Sequence, residues 1–168
     1  MRETEVITTE VRFNFPSLFV PRSINGSDPK FSVTCLLPKT DVAGKSALDA
    51  AIAAAIKQGS EKKWSGIVPP IVPTPIHDGD GVKQDGTAYG PECKGHWVFT
   101  ASCSGSHPPE VVSAQGQRIT DQSEIYSGCY GRVLINAFPY MSTGKKGVGF
   151  GLGPVQKLRD GESLGAVS

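Results

Sequence analysis

"CYGRVLINAFPY", residues 129–140, is the stretch that decides the fold. Cys129, Val133, Ile135 and Ala137 share one parity, and Tyr130, Arg132 and Asn136 share the other. Successive side chains of a strand leave on opposite sides, so this period of two predicts a strand with one buried face. Cys129 then belongs to the core. Tyr130 and Arg132 project together from the opposite face, with Tyr126 just upstream. No histidine stands near Cys129 in sequence to serve as a base, which argues against a catalytic thiol.

Working outward, "EVITTEVRFNF" (5–15) also alternates, and it predicts a strand with Ile7, Val11, Phe13 and Phe15 inward. Glu10, Arg12 and Asn14 would point out, and Pro16 would end the run. Residues 16–30 then read as a loop with a turn at Asn25-Gly26. "KFSVTCLL" (30–37) is a second strand, with Phe31, Val33, Cys35 and Leu37 inward. Thr40 or Asp41 caps a helix to about residue 58, by the usual start signals. Leu48, Ile52 and Ile56 make its narrow apolar stripe, and Gly59 is expected to stop it.

Residues 62–91 are rich in Pro, Gly and Asp and cannot hold a regular element for long. "HWVFTASC" (96–103) returns to strand character, and "GVGFGLGPVQKL" (147–158) is the last strand. Gly147, Gly149, Gly151 and Gly153 share one face of it, opposite Val148, Phe150 and Leu152. Bare backbone on one face marks either close approach by a ligand or another segment, or a tight bend in a barrel. Short strands, one helix and long connections predict a mainly β fold with one helix, an open Greek-key barrel or a small sandwich.

The 168 residues fit a single domain. Formal charge is +1, so a polyanion could be met only by a local patch of Lys and Arg. The start, "MRETEVITTEVRF", reads as neither signal nor transit peptide, and no apolar run reaches membrane-spanning length, which predicts a soluble intracellular protein. The four cysteines, at 35, 93, 103 and 129, form no CxxC pair. They are expected to be reduced and metal-free, with no cofactor.

Two places could carry chemistry. "HDGDG" (77–81) offers His77, Asp78 and Asp80 to a divalent ion, with His96 or His107 to complete the set. The same sequence is what a pair of tight turns looks like, and no acidic residue follows at the offset a calcium loop needs. "AGKSA" (43–47) is not a phosphate loop, because Lys39 stands where its first glycine belongs. A binding surface has more support. Tyr130 and Arg132 combine a stacking ring with a phosphate-seeking cation, as single-strand platforms do. "EKKW" adds Lys62, Lys63 and Trp64, and "GKKG" adds Lys145 and Lys146 beside the glycine strand. Arg12, Lys30 and Tyr126 border the same expected surface.

Three stretches, "PSLFVPRSINGSDPKFSVTCLLPK", "IYSGCYGRV" and "VQKLRDGESLG", together resemble a family of tailed-phage single-stranded DNA-binding proteins. The resemblance runs nearly end to end. It implies a single OB-type barrel over 1–168, with a short C-terminal tail from about 160. It also implies a protein that coats single strands without base preference in phage replication, recombination or repair. Catalysis is not expected, and the place of action would be the cytoplasm of the infected host. Phage replication or recombination enzymes would be its partners, although the tail carries only Asp160 and Glu162 to recruit them. Self-association is compatible with the sequence. The alternative is a metal-dependent nuclease or phosphodiesterase centred on His77, Asp78 and Asp80. A third reading is a structural phage protein that oligomerises through its sheet edge.

Overall fold

The computed structural model describes residues 3–23, 28–62, 64, 66, 73–83, 86–142 and 145–164 and, of Ser142 and Lys145, the backbone alone. The turn expected at Asn25-Gly26 and the side chains of Lys63 and Lys145 lie outside the described residues. The strands are β1 (Glu5–Ile7), β2 (Val11–Arg22), β3 (Lys30–Pro38), β4 (His77–Asp78), β5 (His96–Ser104), β6 (Val111–Val112), β7 (Tyr130–Ser142) and β8 (Lys145–Arg159). The helix α1 (Val42–Lys62) lies between β3 and β4, and short 3-10 turns occupy Pro91–Cys93 and Gln122–Glu124.

The pairing order is β1-β7-β2-β3-β5-β8-β6, with β7 also paired to β8 and β4 to β5. Following β2, β3, β5, β8 and β7 therefore leads back to β2, the five-stranded Greek-key circuit of an OB fold. The sheet is mixed, because β5 and β8 run parallel. It is incompletely closed: Ser102↔Gly151 alone joins β5 to β8, and two pairs, Val11↔Gly131 and Arg12↔Tyr130, join β2 to β7. The expectation of an open barrel holds. β1 and β6 flank the β7–β8 pair.

The alternation that opened the sequence reading is realised in β7. Gly131, Val133, Ile135, Ala137 and Pro139 are buried, and each intervening residue is exposed or half-buried. Val133 and Ile135 are almost completely buried. Each such side chain contributes about 1.5–3 kcal/mol by leaving water. They meet Val11, Phe13, Val33, Cys35, Phe99, Phe150 and Val155 in one core, with Phe99 and Phe150 ring-to-edge at 5.6 Å. Leu152, expected buried, is half-buried and packs against this core.

The N-terminal stretch departs from the single strand expected of residues 5–15. The strand is interrupted at residues 8–10, so Val6 rather than Ile7 faces the core from β1, and Ile7 is 50% exposed. Pro16 does not end β2. It sits where the register with β3 jumps between Asn14↔Thr34 and Ser17↔Ser32. A bulge of this kind is one of the few places in a sheet that tolerates proline, which has no N–H to donate. The bulge also reverses the parity: Asn14 is buried and Phe15 is 61% exposed, against the expectation for both.

The helix begins as expected. The Asp41 carboxylate accepts the Gly44 N–H at 2.9 Å and the Thr9 hydroxyl at 2.6 Å. The hydroxyl bond first, and the Gly44 amide second, hold its pKa below the usual carboxylate value. Such a cap satisfies an amide that has no partner within the helix. The end differs from expectation. Gly59 lies inside α1, and a Cβ there would fall 2.6 Å from the Cβ of Pro139 and 3.1 Å from the Trp64 ring. It is a packing glycine, letting the helix approach β7, and the chain turns only after Lys62.

Candidate nucleic-acid interface

The outer faces of β3 and β5 are built alike, with hydroxyl side chains at every second position. Ser32 pairs with Ser102, and Thr34 pairs with Thr100, whose hydroxyls share a 2.9 Å hydrogen bond. One half of this face is roofed: Leu36 and Val98 are covered by Cys93, Tyr89 and Leu164. The other half is open. There Ser32, Thr34, Thr100 and Ser102, with Phe15, Ser17, Arg22, Asp28 and Lys30, line a groove of about 510 Å³.

Phe15 stands at the lip of that groove in an unusual state. Its φ is +47°, the sole positive value among non-glycine residues described. For a bulky side chain this left-handed conformation is strained, at a cost of roughly 1–3 kcal/mol. The Phe15 amide is held by the Ser127 hydroxyl at 3.0 Å. A strained backbone that presents an exposed aromatic ring over a polar, cation-flanked groove is an arrangement suited to a flat apolar ligand bearing an anionic chain.

The residues expected from sequence fall in several places rather than one. Lys30 lines the groove. Tyr130, half-buried, has the Arg159 guanidinium 3.9 Å from its ring centre and that of Arg12 at 5.4 Å. Arg12 donates to the Gly128 carbonyl at 3.1 Å and to the Glu162 carbonyl at 2.5 Å, so it ties down the segment after β8. Tyr126 joins the same arrangement: its hydroxyl donates to Asp160 at 3.0 Å and accepts the Gly161 N–H at 3.1 Å. Arg132 is exposed elsewhere, beside Ile7, Val112, Leu134 and Pro154, and donates to the Gln156 side chain at 2.6 Å. Lys62 is exposed at the end of the helix, near Glu3 and Glu61. Lys146 is half-exposed on the β7–β8 hairpin, across from Met141.

Trp64 requires a correction. It was expected to stack on a ligand, but it is 1% exposed and donates its indole N–H to the Tyr140 carbonyl at 3.2 Å. Enclosed between α1 and β7, it has no free ring face.

Two exposed aromatics were missed. Phe138 and Tyr140 continue the outward parity of Tyr130 and Arg132 along β7 and are 40% and 36% exposed. Their ring ends lie over Gly149 and Gly147, where a Cβ would come within 2.8 Å of the Phe138 Cζ and 2.5 Å of the Tyr140 hydroxyl. The bare face of β8 is thus approached by side chains of the neighbouring strand. Extending the alternation four residues past Asn136 would have found them.

The "HDGDG" segment is a cross-linked turn. Lys39 places its ammonium 2.5 Å from Asp78 and 2.7 Å from Asp80, and lies 4.9 Å from the Trp97 ring centre. Gly79 donates to the His96 carbonyl and Gly95 to the Asp80 carboxylate, which fastens the turn to the start of β5. Lys39 hydrogen bonds lower both acidic pKa values, with backbone N–H groups of Asp80 and Gly95 second. The carboxylates proposed to hold a metal therefore hold an ammonium, and no cluster of three or more metal-ligating side chains is gathered among the described residues. Nothing favours the nuclease alternative. The cysteines are free, and Cys35, Cys93 and Cys129 are buried. Burial pushes the Cys129 thiol up, which removes it further from nucleophilic chemistry.

The circuit of strands, the hydroxyl-lined face and the strained aromatic define an OB-fold binding protein. Comparison with known proteins makes this specific. The chain belongs to the family of the ssDNA-binding protein of Enterobacter phage Enc34, whose family model matches residues 4–168. The single-stranded DNA-binding protein from bacteriophage Enc34, solved in complex with ssDNA, is 28% identical with a TM-score of 0.82, over 98% of this chain and 91% of that one. A second structure of the single-stranded DNA-binding protein from bacteriophage Enc34 gives 28% identity and a TM-score of 0.79, over 99% of this chain and 87% of that one. The fold is also that of gp2.5, a single-stranded DNA binding protein encoded by bacteriophage T7, at 15% identity, a TM-score of 0.65 and 97% and 90% coverage. No curated protein sequence matches. No helix among the described residues is long and apolar enough to cross a membrane.

Proposed function

We propose that this chain is a bacteriophage protein that binds single-stranded DNA without base preference along the open groove of β3 and β5. It coats and protects single strands during replication or recombination in the cytoplasm of the infected host, and it catalyses no reaction. The observation that carries the reading is Phe15, held strained and exposed beside Arg22 and Lys30 over a floor of hydroxyl groups. Stacking needs only the π-face that every base has, and the cations and hydroxyls meet the phosphates. In OB folds the face of the second and third barrel strands, here β3 and β5, is the usual seat of oligonucleotides. Family membership supports single-stranded DNA as the ligand.

Lys30 lies in the groove itself. Tyr130, Tyr126 and Arg12 support it from the side by holding the C-terminal segment in place. Incubation with end-labelled single-stranded DNA and magnesium tests the whole reading. Intact, shifted DNA is expected, cut DNA would restore the nuclease alternative, and unbound DNA would refute binding.

A further inference from the structure

The β7–β8 hairpin carries an aromatic pair that the groove does not use. Phe138 and Tyr140 are two apart on one face of β7, which places their Cα atoms about 6.8 Å apart at strand rise. Both rings are exposed, whereas Ala137 and Pro139 between and beside them are buried. The support beneath is rigid. Pro139 packs on Gly59 of the helix, and the buried Trp64 holds the Tyr140 carbonyl. Across the hairpin, Gly147 and Gly149 leave the space that the ring ends fill. Exposed aromatics of this size on a solvent face lose contact with water only when something covers them, and a firmly seated pair is suited to flat ligands.

From this arrangement we propose that Phe138 and Tyr140 form a second station for unpaired bases, one base per ring. The inference rests on the single-strand reading above and extends the DNA path from the groove onto the hairpin. The spacing decides which form of DNA fits. Neighbouring bases in a duplex are about 3.4 Å apart along the strand, half the distance between the two ring positions. Two bases can each meet a ring only when the strand is drawn out and its bases no longer stack on one another. The station therefore accepts a single strand and rejects a duplex, whatever the sequence.

The test titrates the full-length chain with fluorescent oligothymidine and with a blunt duplex of equal length, at two salt concentrations. Replacing Phe138→Ala or Tyr140→Ala singly should weaken oligothymidine binding by about five- to a hundred-fold, the range for one lost stack, without changing the salt dependence. The Phe138→Tyr/Tyr140→Phe variant, which keeps both rings, should bind like the parent. Weak duplex binding should be unaltered in all of them. Single variants are used because each ring is more than a third exposed, and their melting temperatures confirm folding. If the parent binds oligothymidine and folded Phe138→Ala and Tyr140→Ala bind equally well, the station is wrong and the groove reading stands. Loss of self-association in place of DNA binding would likewise overturn it, as a protein contact. A parent that binds no single-stranded DNA refutes the functional reading itself and the station with it.

Discussion

Arg159 lies over Tyr130, its guanidinium carbon 3.9 Å from the ring centre, and the same guanidinium donates to Glu10 at 2.7 Å. One face of the ring is therefore taken by a cation, and Gly161 closes on its edge, where a Cβ would be 2.6 Å from the ring. A base would have to displace Arg159 to stack there. Tyr130→Ala should leave single-strand affinity near the parent's and lower stability by about 1 kcal/mol, the scale of a surface cation–π contact. Equilibrium unfolding and a DNA titration on the same preparation check both halves. A stack-sized loss of affinity would put Tyr130 on the DNA.

Trp64 is a core residue, so its removal should be read in stability. Trp64→Ala should cost about 3–5 kcal/mol, measured by denaturant unfolding. Trp97 is half-buried at the outer end of β5, with Lys39 and Lys45 at 4.9 and 4.6 Å from its ring. Any change of tryptophan emission on adding DNA should persist in Trp64→Phe. Its disappearance there would show that the Trp64 site responds to DNA.

The acidic pair at 78 and 80 should serve the fold rather than catalysis. Asp78 and Asp80 titrate below their ordinary value because Lys39 bonds them, and Lys39 titrates above its own because they bond it. The carboxylate contribution is thus present above the unfolded carboxylate pKa of about 3.9 and fades as pH falls through the folded values. The lysine contribution is complete below about pH 10.4 and fades as pH rises through its folded value. The stability gap between the parent and Lys39→Met should be flat from about pH 5 to 10 and narrow outside that window. Asp78→Ala/Asp80→Ala should bind DNA as the parent does without magnesium.

Lys30 offers a purely electrostatic test. It is exposed on the groove wall and pairs in register with Arg22 and Ser104. Losing one phosphate contact should lower the log–log salt slope of single-strand binding by about 0.7. Lys30→Ala titrated at four salt concentrations gives that slope, and an unchanged slope would remove Lys30 from the path.

Much of the fold could be read where local pattern and tertiary packing agree. The parity of β7 and β3, the Asp41 cap and the apolar stripe of the helix all follow from short-range chemistry. The reading failed where a distant neighbour decides. Pro16 marks a bulge only because β3 continues beside it, and Gly59 belongs to the helix because Pro139 presses on it. Trp64 beside two lysines looked like a stacker, yet the helix and β7 close around it. The outward direction of Tyr130 and Arg132 was legible, but Arg159, 29 residues on, occupies the tyrosine. Phe15 was hidden because the bulge that exposes it also reverses the alternation used to place it.

The most direct measurement is an anisotropy titration of oligothymidine with the parent and Phe15→Ala, each at low and moderate salt. Phe15 carries the strained backbone and the exposed ring over the groove. The parent should bind single strands well in preference to duplex. Phe15→Ala keeps the Cβ that strains the left-handed backbone, so it should fold about as stably as the parent while binding about five- to a hundred-fold more weakly at both salts. A folded Phe15→Ala that binds oligothymidine as tightly as the parent would contradict the groove of β3 and β5 as the DNA site.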